Sequence, residues 1–169
     1  MPDNRNKRLL KNKYLWAGFL AGLIIAGAFL ISWGRPPTYY LALYDGPDGE
    51  IVKQVDVELK DLVTLEYVHS SDGTPVKAVF LIEQDGLHLL EEEYSWYGAG
   101  LEFGSGHTFS FSEDKVTVSG YDRVFHELPL RVARTVSQEL HLNEKVISLD
   151  NLAPGGTLVI VKVEKSRPK

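Results

Sequence analysis

The chain has 169 residues, enough for one domain with its own hydrophobic core, and it contains no cysteine. It therefore has no disulfides, no thiolate nucleophiles and no cysteine-ligated zinc. Residues 1–33 carry five basic and one acidic side chain (net +4), whereas residues 34–169 carry 13 basic and 22 acidic ones (net −9). The acidic part argues against nucleic acid as a partner, because phosphate binding needs clustered Lys and Arg.

The first predicted element is a membrane anchor. Residues 1–13 form a basic tail, and residues 15–33 are an uncharged apolar run that would make a helix of about 28 Å. We therefore expect a single transmembrane helix over residues 14–33 in the cytoplasmic membrane. Because basic residues favour the cytoplasmic side, the N-terminus would lie inside and the C-terminal domain outside, in the periplasm or extracellular space. A cleaved signal peptide is the alternative, since Ala26-Gly27-Ala28 has the small-x-small cleavage pattern.

After a short spacer at residues 34–37, we expect one extracytoplasmic β domain over residues 38–165, followed by a tail at residues 166–169. Apolar and polar residues alternate with a period of two, as in Val55-Asp56-Val57-Glu58-Leu59. This period is typical of half-buried strands. Turn signals such as Asp85-Gly86 separate the runs. The pattern predicts an all-β fold, an antiparallel sandwich or barrel of about eight to eleven short strands.

Two segments of the β domain depart from simple alternation. Residues 130–142 have apolar spacings that also fit a helical stripe, although their β-branched residues favour a strand. Residues 157–163 contain four consecutive apolar positions, Leu158 to Val161. Such a run predicts a strand that is buried on both faces, near the centre of the fold.

His69 is the best single candidate for a functional side chain. By strand parity it continues the face of Val63 and Leu65, and the polar residues that follow can hydrogen-bond its ring. It could lock a turn, contact a ligand or act in catalysis. The candidate set around it is Ser70, Ser71 and Thr74. A serine hydrolase has weak support, because no Gly-x-Ser-x-Gly elbow is present.

A glycine-rich segment is the second candidate. Gly98, Gly100, Gly104 and Gly106 fall within nine residues and follow an aromatic group that includes Tyr97. Glycine lets the backbone approach a ligand or another chain closely. We therefore take Tyr97, Gly98, Gly100 and Leu101 as candidate ligand- or partner-binding residues, with a bulged connection at a sheet edge as the structural alternative. No metal or cofactor is expected, and residues 91–93 are expected to alternate faces on a solvated strand.

Three short motifs occur in order along the chain: Tyr67-Val68-His69-Ser70, Thr74-Pro75-Val76 and Gly98-Ala99-Gly100-Leu101. In these motifs the chain resembles, over about residues 38–163, a bacterial family known as domain of unknown function 1850. Members of that family are small, mostly carry an N-terminal hydrophobic segment and are commonly encoded beside TRAP transporters of the TAXI type. The resemblance implies an accessory role in solute uptake.

Three functions follow as hypotheses. The first is a membrane-anchored, non-catalytic accessory domain that assists a TRAP-type (TAXI) permease or its solute-binding protein. The second is a β module that binds a small ligand such as an organic acid, with His69 and the glycine-rich segment at the mouth of the site. The third is a cell-envelope hydrolase. None of these functions needs nucleic acid as a partner, and only the third predicts catalysis.

Overall fold

The computed structural model describes residues 38–47, 49–69, 73–95 and 106–166. Within them the chain forms twelve strands and one short 3₁₀ helix, Leu149–Asn151. The strands are β1 (Tyr39–Asp45), β2 (Ile51–Val57), β3 (Leu62–Val68), β4 (Pro75–Glu83), β5 (Gly86–Tyr94), β6 (Thr108–Phe111), β7 (Val116–Ser119), β8 (Val124–Phe125), β9 (Leu128–Arg131), β10 (Glu139–Leu142), β11 (Lys145–Ser148) and β12 (Leu158–Lys165). The predicted all-β class is confirmed.

The strands form two antiparallel sheets. The first has four strands in the order β2-β1-β12-β9. The second has eight strands: seven follow the order β11-β10-β3-β4-β5-β7-β6, and β8 pairs with β5 beside this path. Every pairing among the described strands is antiparallel, and half of the pairings join strands that are consecutive in the sequence.

One hydrophobic core joins the two sheets. The four-stranded sheet contributes Leu41, Leu43 and Val161, and the eight-stranded sheet contributes Phe80 and Ile82 to the same buried cluster. Alternate residues of each strand therefore face a shared interior. This is the arrangement of a β-sandwich.

Strand β12 lies inside the four-stranded sheet, between β1 and β9. Its residues Val159, Ile160 and Val161 are all buried, although successive side chains of a strand point to opposite faces. The prediction of a central strand that is buried on both faces is therefore confirmed.

Residues 130–142 form neither the helix nor the single strand that their sequence suggested. Their first two residues complete β9 in the four-stranded sheet, and their last four form β10 in the eight-stranded sheet. The intervening loop crosses from one sheet to the other. The described residues contain twelve strands, one more than the upper end of the expected range, and the two-residue β8 is too short to show any alternation.

A β-bulge changes which residues of β5 face the interior. The pairing shifts between Val79 and Phe80, where Glu91 and Leu89 are the respective partners, so Leu90 is the extra residue. Beyond the bulge Glu92 pairs with the buried Ala78, and both side chains share the inner face. Glu92 therefore lies half-buried beside the core, in contrast to the solvated strand expected for residues 91–93.

The predicted anchor, residues 14–33, lies outside the described residues. Among the residues that the structure describes, no helix is long and apolar enough to cross a membrane.

Candidate functional site

A surface cleft of about 800 Å³ lies where the end of β3 meets the loop between β9 and β10. We call it the arginine cleft. Its polar lining consists of Tyr67, His69, Arg131, Arg134, Thr135 and Gln138. Its apolar lining consists of Val68, Val132, Ala133 and Val136, and the glycines 73 and 156 complete the wall. The cleft therefore combines cationic groups with a short apolar surface.

Gly156 contacts both arginines of the cleft. Its carbonyl oxygen accepts a 2.8 Å hydrogen bond from Nη1 of Arg131. The guanidinium of Arg134 packs against its α-carbon so closely that an added Cβ would lie 3.0 Å from Nη2 and 3.1 Å from Nε. Gly156 also has a φ of +96°, a conformation that side chains disfavour. Only glycine fits this position without displacing Arg134.

The loop that carries Arg134 is tied to its surroundings by hydrogen bonds. The side-chain Oε1 of Gln138 accepts a 2.7 Å bond from the backbone N–H of Ala133. Val132 exchanges two backbone bonds with the turn before β12, donating to Thr157 and accepting from Gly156 at 2.9 and 2.7 Å. These bonds fix the backbone beneath the arginine side chains.

His69 lines the same cleft and directly follows the end of β3. The carbonyl of His69 accepts a 2.9 Å bond from the N–H of Gly73, and its N–H donates a 2.8 Å bond to the carbonyl of Thr74. The backbone of His69 thus bonds to Gly73 and Thr74, and the residue lines the cleft. That its ring locks a turn or contacts a ligand stays a prediction. Thr74 does not line the cleft.

Six of the predicted site residues, Ser70, Ser71, Tyr97, Gly98, Gly100 and Leu101, lie outside the described residues. The proposed mouth formed by His69 and the glycine-rich segment therefore stays a prediction.

The cleft is cationic in a domain that is acidic as a whole. No Asp or Glu appears among its lining residues as far as the chain is described. Neither Arg131 nor Arg134 forms an ion pair with a described carboxylate. Guanidinium groups bind carboxylates and phosphates through paired N–H donors and stay protonated throughout the physiological range. Two such groups without carboxylate partners suit an anionic ligand.

Tyr67 joins the cleft to a second polar cluster on the inner face of the eight-stranded sheet. Burial and, to a smaller extent, the nearby Glu92 carboxylate raise the pKa of Tyr67. Its hydroxyl therefore keeps its proton and can donate it to a hydrogen bond. In β-sheet register Tyr67 pairs with Val76, which in turn pairs with Tyr94.

Glu92 is the acceptor at the centre of that second cluster, which we call the Glu92 cluster (Tyr67, Glu92, Tyr94, His107 and Tyr121). The Oε2 atom of Glu92 accepts hydrogen bonds from the hydroxyls of Tyr94 at 2.9 Å and Tyr121 at 2.8 Å. Burial first and then Glu92 raise the pKa of both tyrosines well above the usual range. The His107 ring lies 4.7 Å from the Tyr121 ring, centroid to centroid.

Sequence reasoning missed the arginines, Gly156 and the interior position of Glu92. Arg131 and Arg134 belong to a segment whose fold was ambiguous, and the Pro154-Gly155-Gly156 sequence indicates only a turn. Without the bulge, strand alternation would place Glu91 and Glu93 on the inner face with Leu89, and Glu92 on the outer face. The lone sequence signal for the arginines is their position in an otherwise acidic chain.

The described residues contain no group of three or more His, Asp and Glu side chains arranged to hold a metal ion. Comparison with the curated proteins and with the solved structures found no match. One protein family does match, over residues 63–149, which is just over half of the chain and extends from β3 to the start of the 3₁₀ helix. This segment contains Tyr67, His69 and both cleft arginines, but not Gly156. The chain therefore belongs to the family described as Domain of unknown function (DUF1850).

Proposed function

We propose that the β domain is a non-catalytic module that binds a small organic anion in the arginine cleft. The observation that carries this proposal is the pair of guanidinium groups, Arg131 and Arg134, held on Gly156 without a carboxylate partner among the described residues. Because guanidinium does not release its proton at physiological pH, it supplies recognition and not proton transfer. The adjoining valines and alanine would contact the apolar body of the anion.

The proposal also covers the location of the β domain and its partner. Residues 15–33 would anchor the chain, with the β domain outside the cytoplasm, and the domain would assist a TRAP-type (TAXI) permease or its solute-binding protein. The basic tail and apolar run support the anchor, and the family resemblance supports the link to transport. A domain that binds an organic acid could serve such a transporter by holding its solute, and it could equally act alone.

Calorimetric titration of the full-length protein in detergent with caproate tests the anion site. We expect binding by the wild type and a loss of about tenfold or more in affinity for Arg134→Gln, because a hydrogen bond to a charged group contributes about 1.5–3 kcal/mol. Arg131→Gln should also weaken binding. Arg123→Gln is the matched control, since Arg123 packs on the Phe125 ring and does not line the cleft. Equal affinities in all four proteins would refute an anion site at this cleft.

Affinity purification from gently solubilised native membranes tests the transport role. If the domain assists a transporter, a TRAP permease or its solute-binding protein should be recovered with the full-length chain and identified by mass spectrometry. If the chain is repeatedly recovered alone, the accessory role is refuted and the proposal of an anion-binding module remains.

A further inference from the structure

One residue, Tyr67, belongs both to the lining of the arginine cleft and to the cluster around the Glu92 carboxylate. Tyr67 lines the cleft and also packs against the core beside the Glu92 cluster. Tyr67 and Tyr94 lie in one row across β3, β4 and β5, and Glu92 lies in the next row on the same face. Strands are spaced about 4.8 Å apart, so the backbones of Tyr67 and Tyr94 are roughly 10 Å apart.

The two carboxylate oxygens of Glu92 differ in their hydrogen bonds to the described residues. Both tyrosine hydroxyls bond to Oε2, and Oε1 accepts no hydrogen bond from any residue in the described ranges. No Lys or Arg of those ranges forms an ion pair with Glu92. A carboxylate without a cationic partner among the described residues offers an ammonium group a charge partner and a hydrogen-bond acceptor.

His107 adds a second unsatisfied polar atom to the same cluster. Its Nδ1 is buried and has no hydrogen-bond partner among the described residues, while its ring packs on Tyr121. Buried polar side-chain atoms are nearly always hydrogen-bonded in folded proteins. As far as the chain is described, Oε1 of Glu92 and Nδ1 of His107 therefore remain available to a ligand or to water.

We propose that the ligand of the arginine cleft also carries an ammonium group, which binds at Glu92 while its carboxylate binds Arg131 and Arg134. This inference rests on the proposed anion site and specifies its ligand as an amino acid or another amine-bearing carboxylate. The Tyr67 hydroxyl lies between the two charged ends and donates a hydrogen bond to the ligand.

Whether an added ammonium group strengthens or weakens the binding of a carboxylate tests this inference. An ammonium group confined to the arginine cleft would meet only like charges and would weaken binding. An ammonium group that reaches Glu92 would strengthen it, by about tenfold for one charge-assisted contact. Calorimetric titration of the wild-type full-length protein measures the ratio of the two affinities without any variant. The first pair of ligands is caproate and ε-aminocaproate, and the shorter pair is butyrate and γ-aminobutyrate.

Two variants then locate the ammonium site. Glu92→Gln should remove the preference for ε-aminocaproate and leave caproate affinity within about twofold of the wild type. Glu91→Gln is the matched control, because Glu91 is exposed on the outer face of the same strand, and it should retain the preference.

The outcomes separate the two proposals. Tighter binding of ε-aminocaproate or γ-aminobutyrate, lost in Glu92→Gln, supports the inference. If caproate binds and both amino compounds bind equally or more weakly, the inference is wrong and the anion site stands. If the preference survives in Glu92→Gln, the ammonium binds elsewhere and the inference is again wrong. If none of the four compounds binds, the anion site itself fails.

Discussion

Gly156 is the residue on which the geometry of the arginine cleft depends most. Its carbonyl fixes Arg131, its bare α-carbon accommodates Arg134, and its N–H bonds the carbonyl of Val132. A single backbone position is therefore hydrogen-bonded to one guanidinium group and in close contact with the other. A side chain here would disturb the cleft without removing any charged group.

Gly156→Ala should reduce carboxylate affinity even though both arginines remain. The added methyl would lie 3.0 Å from Nη2 of Arg134 and would force the guanidinium to move. The positive φ adds a backbone cost of about 1 kcal/mol in stability. Calorimetry with caproate measures the first effect, and urea denaturation measures the second.

Gly46→Ala is the control for backbone strain alone. Gly46 also has a positive φ, +79°, but an added methyl group would have no atom within 4 Å, and the residue does not line the cleft. This variant should lose stability by a similar amount and keep full affinity. Equal affinity in Gly46→Ala and Gly156→Ala would show that Gly156 does not position the arginines.

Glu164 and two tyrosines form a pH-dependent contact on the four-stranded sheet. Its carboxylate accepts hydrogen bonds from Tyr40 at 2.6 Å and from Tyr44. The Tyr40 bond first and the Tyr44 bond second lower the pKa of Glu164 below its ordinary value of 4.5. The same bond to Glu164, with burial, raises the pKa of Tyr44 to about 12.

Glu164→Gln should destabilise the fold near neutral pH by about 1–2 kcal/mol, because two bonds to a charged acceptor become bonds to a neutral one. A lowered carboxyl pKa stabilises the fold above pH 4.5, and this contribution is lost as pH falls through the lower folded value. The raised Tyr44 pKa stabilises the fold below pH 10, and this contribution is lost between 10 and about 12.

Urea denaturation at a series of pH values measures both effects. The variant should lose part of the acid-side slope that the wild type shows below pH 4.5. Glu50→Gln, at an exposed position, is the control and should follow the wild-type curve. Parallel curves for Glu164→Gln and the wild type would contradict the assignment of this slope to Glu164.

At the level of elements, β12 is the strand whose packing the four-stranded sheet needs most. It pairs with β1 over seven residues and with β9 over four. Val161→Ala should cost about 2 kcal/mol, because Val161 is 1% exposed and its loss leaves a cavity. Val146→Ala, at a residue that is 56% exposed in β11, should cost less than about 0.5 kcal/mol. Urea denaturation compares the two, and equal losses would contradict a central role for β12.

The strands themselves were largely predictable, because alternation is local. The period of two located the runs around Val55, Val63 and Val76, and the continuous apolar run located β12. The bulge at Leu90 was not predictable, because no local signal marks it and it depends on how β5 pairs with β4. One extra residue was enough to bring Glu92 to the inner face.

The candidate site could be predicted only in part, for the same reason. His69 was identified because its own strand parity directs it towards the interior. Arg131, Arg134 and Gly156 meet it only after two sheets have packed, from segments far apart in the sequence. Alternation carries no information about which loops of a sandwich become neighbours.

For the molecule as a whole, the important feature is that the charge of the arginine cleft is opposite in sign to the net charge of the domain. The chain beyond residue 33 has a net charge of −9, yet the arginine cleft has no acidic lining residue within the described part. Within the described residues neither arginine of the cleft pairs with a carboxylate, and the turn before β12 bonds the side chain of Arg131 and the backbone of Val132. Recognition of an anion is the central claim that follows.

A crystal structure of the full-length protein soaked with ε-bromocaproate tests that claim most directly, because bromine is located by its anomalous scattering. We predict a bromine peak in the arginine cleft, beside its apolar wall, with the carboxylate hydrogen-bonded to Arg134. The same soak of Arg134→Gln should show no peak there. An empty cleft in wild-type crystals that bind the compound elsewhere would contradict the account.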